Sequence, residues 1–145
     1  MKSGVPFALR LDAARATEHA GNLQFEERGS GPAGEYGTIT VDARLFGDIV
    51  LARKDTPASY NLAVVVDDAF QGVTLVTRGN DLFPATHVQR MLQTLLELAA
   101  PAYAHHKLIF DAHGRKFSKR DNAVTLRNLR KQGVTPVQIR ERLGL

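Results

Sequence analysis

The stretch Gly114-Arg115-Lys116-Phe117-Ser118-Lys119-Arg120 gathers four cationic side chains and one hydroxyl behind a glycine. Two lysines three residues apart, Lys116 and Lys119, with Ser118 just before the second, can set two ammonium groups and a hydroxyl around a polyphosphate. Lysines placed in this way act as point charges and stabilise negative charge developing on a leaving group. Gly114 gives the backbone the freedom such a loop needs to close over a ligand. For so short a pattern, a solvated basic turn is the plain alternative.

A second candidate lies upstream, where Tyr60 and Arg78 stand on either side of an apolar run. An arginine at the end of a strand and before a glycine, as Arg78 is before Gly79, can point a bidentate fork at a carboxylate. The alternatives are a surface pair of Arg78 with Asp81 and a Tyr60 packed at a core margin. Asp67-Asp68 is read as capping or solvated rather than as a metal pair. The five histidines, His19, His87, His105, His106 and His113, show no metal-ligand spacing, and the absence of cysteine excludes disulfides and thiolate zinc sites. There is no glycine-rich phosphate loop of the Walker or dinucleotide type.

These residues sit in a chain of 145 with 43% hydrophobic and 23% charged residues, the mixture of a single globular domain. No apolar run is long enough to span a bilayer and the N-terminus lacks a signal-peptide core, so the expectation is a cytoplasmic protein with no membrane partner. The net charge of +4 is uneven. From His105 onward there are ten Lys or Arg against three Asp or Glu, whereas residues 1–104 hold nine against twelve. Basic character confined to the last 41 residues points to phosphate, nucleotide or RNA, with a solvated basic helix face as the alternative.

The elements that must position these groups follow from pattern. Pro6–Leu11 reads as a strand, and the Gly-rich stretch from His19 to Gly37 as a loop or hairpin region. "TITV" and "GDIVLAR" are β-like. The segment from Ala58 to Gly72 is ambiguous, since Val64-Val65-Val66 favours a strand while its length and flanking Pro57 and Gly72 favour a helix. "VTLVTRG" reads as a strand. Val88, Met91, Leu92, Leu95 and Leu96 recur at helical spacing, and Pro101 closes that helix. "HKLIF" reads as a strand, and "VTLRNLRKQG" as a helix stopped by Gly133. Thr135, Pro136 and Gln138 then form a capping box for a last helix. The alternation after residue 45 predicts an α/β layer architecture with a small, mainly parallel sheet, half of a nucleotide-binding fold.

Taken together, "YNLAVVVDD", "VTLVTRGNDL" and "GRKFSKR", in this order and spacing, resemble the second half of the catalytic domain of the class I glutamyl-tRNA synthetases. Within that family the similarity is greatest to the short glutamyl-Q tRNA(Asp) branch, because Val64 and Leu82 stand where the larger enzymes usually carry Asn and an aromatic residue. The resemblance covers about Pro6 to Ala123, and Phe117 replaces the usual Met or Leu of the KMSKS signature. It implies a Rossmann-like partial domain, with residues 1–45 a connective segment, 46–122 the lysine-loop half and 123–145 a helical end. It implies ATP-dependent activation of glutamate and its transfer to a queuosine base of tRNA(Asp). Lys116, Ser118 and Lys119 would be catalytic, and Lys116 and Lys119 would bind ATP together with Leu108 and Ile109, which match the strand at the adenine. Tyr60 and Arg78 would hold glutamate, Mg2+ would arrive with ATP, no zinc is expected, and Ala58–Asp68 should be helix. The HIGH signature does not occur in the 145 residues, and the expectation is a chain without an anticodon-binding domain after Leu145. The expectation is therefore a C-terminal half, whose missing half a partner chain or self-association would cover. The alternative is a non-catalytic nucleotide- or tRNA-binding remnant, or a truncated synthetase-like domain.

Overall fold

Residues 7–42, 45, 47–111, 113–117 and 125–144 are described by a computed structural model, and its elements alternate in type along most of the chain. In chain order they are β1 (Leu9–Leu11), α1 (Ala13–Ala20), β2 (Gln24–Glu27), β3 (Gly37–Thr40), β4 (Ile49–Ala52), α2 (Tyr60–Phe70), β5 (Leu75–Gly79), α3 (Phe83–Leu95), β6 (Ala102–His106), α4 (Leu126–Lys131) and α5 (Pro136–Leu143). Four strands form one sheet in the order β3-β2-β6-β5. Its β2–β6 and β5–β6 pairs are parallel and its β2–β3 pair is antiparallel, while β1 and β4 form a separate antiparallel ribbon. Parallel neighbours need a crossover, and α3 supplies it between β5 and β6. The small parallel sheet of the expected α/β class is therefore present.

The chain divides into two compact units, Met1–Lys107 and Leu108–Leu145. In the first, one core joins Ala16, Ile49, Val65, Val88, Met91 and Leu92, and a second joins Phe25, Phe83 and Tyr103. The ambiguous valine run is helix α2. Ser59 caps it, its side chain accepting from Leu62 N–H at 3.3 Å, and Ser59 N–H ties the cap to the Leu51 carbonyl at 2.7 Å. Val65 is 1% exposed in the core, and its burial against α3 outweighs the modest helical cost of a β-branched residue. In α3, Val88, Met91 and Leu92 face that core, as the spacing requires. The helix ends at Leu95, short of Pro101. Leu96 caps it and is exposed, and Glu97 turns away at φ 55°.

Two local readings shift at their boundaries. The stretch His19 to Gly37, read as a loop or hairpin region, is the hairpin: β2 pairs antiparallel with β3 across it, and only its first two residues, the end of α1, depart from the reading. Phe25 and Glu27 alternate inward there, a period of two that the surrounding glycines and charges mask. Of "HKLIF" only His106 lies on a strand, the end of β6, and the rest follows it. β6 ends at His106 because its partner β5 ends opposite, at Gly79, and the chain there turns into a single 3-10 turn at Asn80–Leu82.

In the second unit, Phe110 and Lys116 form an antiparallel bridge, and Phe117 N–H donates to the Ile109 carbonyl at 3.0 Å. The tip closes through Gly114, at φ 73°, whose N–H reaches the Asp111 carbonyl at 3.0 Å. The Gly133 stop of α4 and the capping box of α5 are as predicted, and α4 has in addition an N-cap at Thr125. Thr125 accepts from Asn128 N–H, Gly133 stops α4 at φ 80°, and Thr135 and Gln138 complete a capping box on α5.

Candidate functional site

Alternation along β5 turns Val76 and Arg78 inward and leaves Leu75 and Thr77 exposed. Arg78 is thus carried into the protein, where an arginine must find acceptors for its donors. It finds three. Nε donates to His105 Nε2 at 3.1 Å, Nη1 to Gln89 Oε1 at 2.7 Å and Nη2 to Thr86 Oγ1 at 2.5 Å. Its Cζ also lies 5.1 Å from the centre of the Tyr103 ring, within cation–π range. Burial pushes the guanidinium pKa down, while Tyr103, a side-chain hydrogen bond to Tyr60 and the charge of Asp68 push it back up. A guanidinium carries five N–H donors; His105, Gln89 and Thr86 take one on each nitrogen, and of the two Nη donors that remain one is engaged by Tyr60. Desolvation also raises the pKa of Asp68, against the pull of Arg78.

A second layer stands behind the arginine. Glu27, on β2, has no exposed surface and accepts from the backbone N–H of His105 and of Gly29, both at 2.8 Å. Its other oxygen meets His105 Nδ1 at 2.5 Å. The approach of β2 to β6 here is close enough that a Cβ on Gly29 would collide with the His105 carbonyl oxygen, so only glycine fits. The His105 ring is stacked near-parallel on Tyr103, with centroids 6.1 Å apart, and meets the edge of Phe83.

Tyr60 opens α2 and is exposed, at the edge of a pocket of about 380 Å3 whose wall includes Arg53, Ser59, Asn61 and Val88. Asn61 accepts from Gln89 Nε2 at 3.1 Å, so Gln89 links the start of α2 to Arg78. The two residues expected to hold glutamate are therefore neighbours. Each was reached from the sequence, but their supporting set was not. Thr86, Gln89 and Gln93 recur at helical spacing as a buried polar stripe on α3, a legible signal beside the apolar one. Glu27 and His105 carried no such mark, because their meeting is long-range, 78 residues apart.

Within the second unit, Lys116 is exposed on the hairpin arm opposite Phe110. Ser118 and Lys119 lie outside the described residues. Leu108 and Ile109 lead into the hairpin, Leu108 half-buried and Ile109 exposed, with the Ile109 carbonyl bonded to Phe117. Asp111 organises the turn, accepting from His113 N–H at 2.8 Å, Arg115 N–H at 2.9 Å and Arg115 Nε at 3.0 Å. Among the described residues, no cluster of three metal-ligating side chains occurs, and no helix is long and apolar enough to cross a membrane.

The family described as tRNA synthetases class I (E and Q), catalytic domain, matches residues 34–145, which include Tyr60, Arg78 and the lysine loop. The chain belongs to this family. Among class I synthetases it is 49% identical over 139 residues to the glutamyl-Q tRNA(Asp) synthetase of Rhodobacter capsulatus, covering 94% of this chain and 48% of that protein. It is 46% identical over 136 residues to the protein of the same name from Nocardia farcinica, covering 94% of this chain and 39% of that one. In structure it resembles a glutamate tRNA ligase from Elizabethkingia meningosepticum crystallised in complex with its amino acid. That likeness has a TM-score of 0.52 at 27% identity and covers 80% of this chain and 20% of the ligase. The chain thus spans about half, or less, of the length of the class I synthetases it matches, a partial domain of that fold.

Proposed function

We propose that this chain carries the lysine-loop half of an ATP-dependent, glutamate-activating site of the glutamyl-Q tRNA(Asp) type. The observation that carries the reading is Arg78, a buried guanidinium held on three nitrogens and hydrogen-bonded to Tyr60, with one Nη donor left for a carboxylate. The names of the two relatives above favour the glutamyl-Q branch and tRNA(Asp) with its queuosine base as acceptor. In the first step an α-carboxylate oxygen of glutamate attacks the α-phosphorus of ATP. The bond to the bridging oxygen breaks, and pyrophosphate leaves with its Mg2+. Arg78 and Tyr60 hold the amino acid; Lys116, Ser118 and Lys119 surround the departing charge, with Leu108 and Ile109 at the adenine. Transfer of the glutamyl group to the acceptor then releases AMP.

Glutamate-dependent exchange of pyrophosphate into ATP tests the reading. Because the chain lacks the HIGH signature, the assay is run on the chain alone and with the separately expressed N-terminal half of the Rhodobacter capsulatus relative. Exchange is expected in one of the two, and Lys119→Ala should lower it by about a hundredfold, the usual scale of one lost transition-state contact. Exchange untouched by that substitution would remove the loop from the mechanism. A folded chain with no exchange in either format would leave only nucleotide or tRNA binding to be measured.

A further inference from the structure

Arg78 could have been held by any acceptors, yet the one at Nε is a histidine, and a histidine nitrogen can be donor or acceptor. Arginine has donors only. The His105 Nε2 that faces Arg78 Nε at 3.1 Å must therefore present a lone pair, which also receives the Thr86 hydroxyl at 3.3 Å. With Nε2 bare, the ring proton sits on Nδ1, where Glu27 Oε2 accepts it. The alternative tautomer would set two N–H groups against each other at Arg78 and leave a buried carboxylate oxygen facing a lone pair. Backbone geometry leaves Glu27 no freedom to turn away, since its second oxygen is fixed by the N–H groups of Gly29 and His105.

We infer that Glu27 and His105 are positioning residues for amino-acid selection. Glu27 fixes the tautomer of His105, and His105 fixes the plane of Arg78, so that the remaining Nη donor points in one direction. The inference rests on the reading of Arg78 as the residue that takes the amino acid's carboxylate, and it adds two buried residues that touch no substrate. It also explains why a carboxylate is buried where a glutamine would fit. A carboxylate accepts at both oxygens. An amide that keeps its oxygen on the two backbone N–H groups turns its NH2 to Nδ1, which drives the proton to Nε2 and against Arg78.

The test is the imidazole nitrogen spectrum of the 15N-labelled chain near pH 7, read with the Arg78 Nε–H signal and with glutamate and ATP titrations by calorimetry. The wild-type chain should show His105 protonated at Nδ1 and bare at Nε2, with a coupling across the hydrogen bond to Arg78 Nε. In Glu27→Gln the proton should move to Nε2, the coupling should vanish, and glutamate affinity should fall by about tenfold, the scale of one hydrogen bond to a charged group. ATP affinity should stay unchanged. A wild-type His105 protonated at Nε2 would overturn the inference without any variant, so it does not depend on Glu27→Gln folding. So would a Glu27→Gln chain whose tautomer moves while glutamate affinity does not. If the wild-type chain takes up no glutamate, the reading of Arg78 fails instead, and the tautomer still decides whether Glu27 orients it.

Discussion

Glu27 and Asp111 hold the same hand of hydrogen bonds in two different settings. Each carboxylate accepts two backbone N–H groups and one side-chain N–H, Glu27 from Gly29 and His105, Asp111 from His113 and Arg115. Glu27 is fully buried beneath the arginine, whereas Asp111 sits at the edge of an exposed turn whose Arg115 side chain is 75% exposed. The difference lies in what replaces a lost acceptor. Around Asp111 water can take over each donor, so the bonds shape the turn and add little to stability. Around Glu27 no water competes, and every donor left behind keeps its desolvation cost. The first unit therefore spends its polarity on rigidity at Arg78, while the second keeps a basic tip open to solvent.

The sharpest way to break this contrast is to remove both acceptors. Glu27→Ala strands two backbone donors and the His105 ring, and should destabilise the chain by roughly 3 kcal/mol. Asp111→Ala should leave the urea midpoint of the first unit where it is. Equal shifts for the two variants would mean that burial is not what separates them.

A smaller effect is expected at His87, whose Nδ1 accepts from Asp42 N–H at 3.0 Å beside the rings of Phe25 and Phe83. Burial lowers its pKa, against the opposing charges of Asp42 and Glu35. As pH falls below the ordinary histidine value of about 6.5, the unfolded chain takes up the proton first. The stabilisation is thus complete above that pH and is lost as pH drops through the lowered folded value. Unfolding free energy should slope upward with pH in that window, and His87→Gln should flatten the slope. A slope unchanged by the substitution would assign it to other groups.

What could be read from the sequence divides along the same line. The capping box on α5, the Gly133 stop and the Val88–Met91–Leu92 stripe are local, and each followed from spacing within a few residues. Arg78 and Tyr60 emerged because their neighbours resemble a family. The valine run Val64–Val66 defeated propensity, since its helix is decided by burial of Val65 against α3. Glu27 was hidden in a stretch of glycine and charge, because its partner is a backbone far along the chain, brought close by a parallel pairing that no local pattern encodes. The strand expected at His106–Phe110 is displaced, running from Ala102 to His106, for the complementary reason that its extent is set by where β5 ends.

The smallest expected effect sharpens the exposed side of the comparison. The backbone hydrogen bond from Arg115 lowers the pKa of Asp111 most, with further help from the His113 N–H and the Arg115 side chain. A lowered carboxyl pKa means that the order it confers on the turn is present above the ordinary aspartate value, about 3.9, and is lost only as pH falls through the lower folded one. The amide resonances of His113 and Arg115 should therefore titrate together, with a midpoint below that of an unstructured aspartate, while the β5–β6 amides stay unmoved. Asp111→Asn should abolish the titration while preserving the turn in part, since an amide oxygen still accepts from one or both N–H groups. A midpoint at the ordinary value would mean that the turn is not held by this carboxylate in solution. The Lys116 arm would then owe its shape to backbone contacts such as the Phe110 bridge and the Phe117–Ile109 bond.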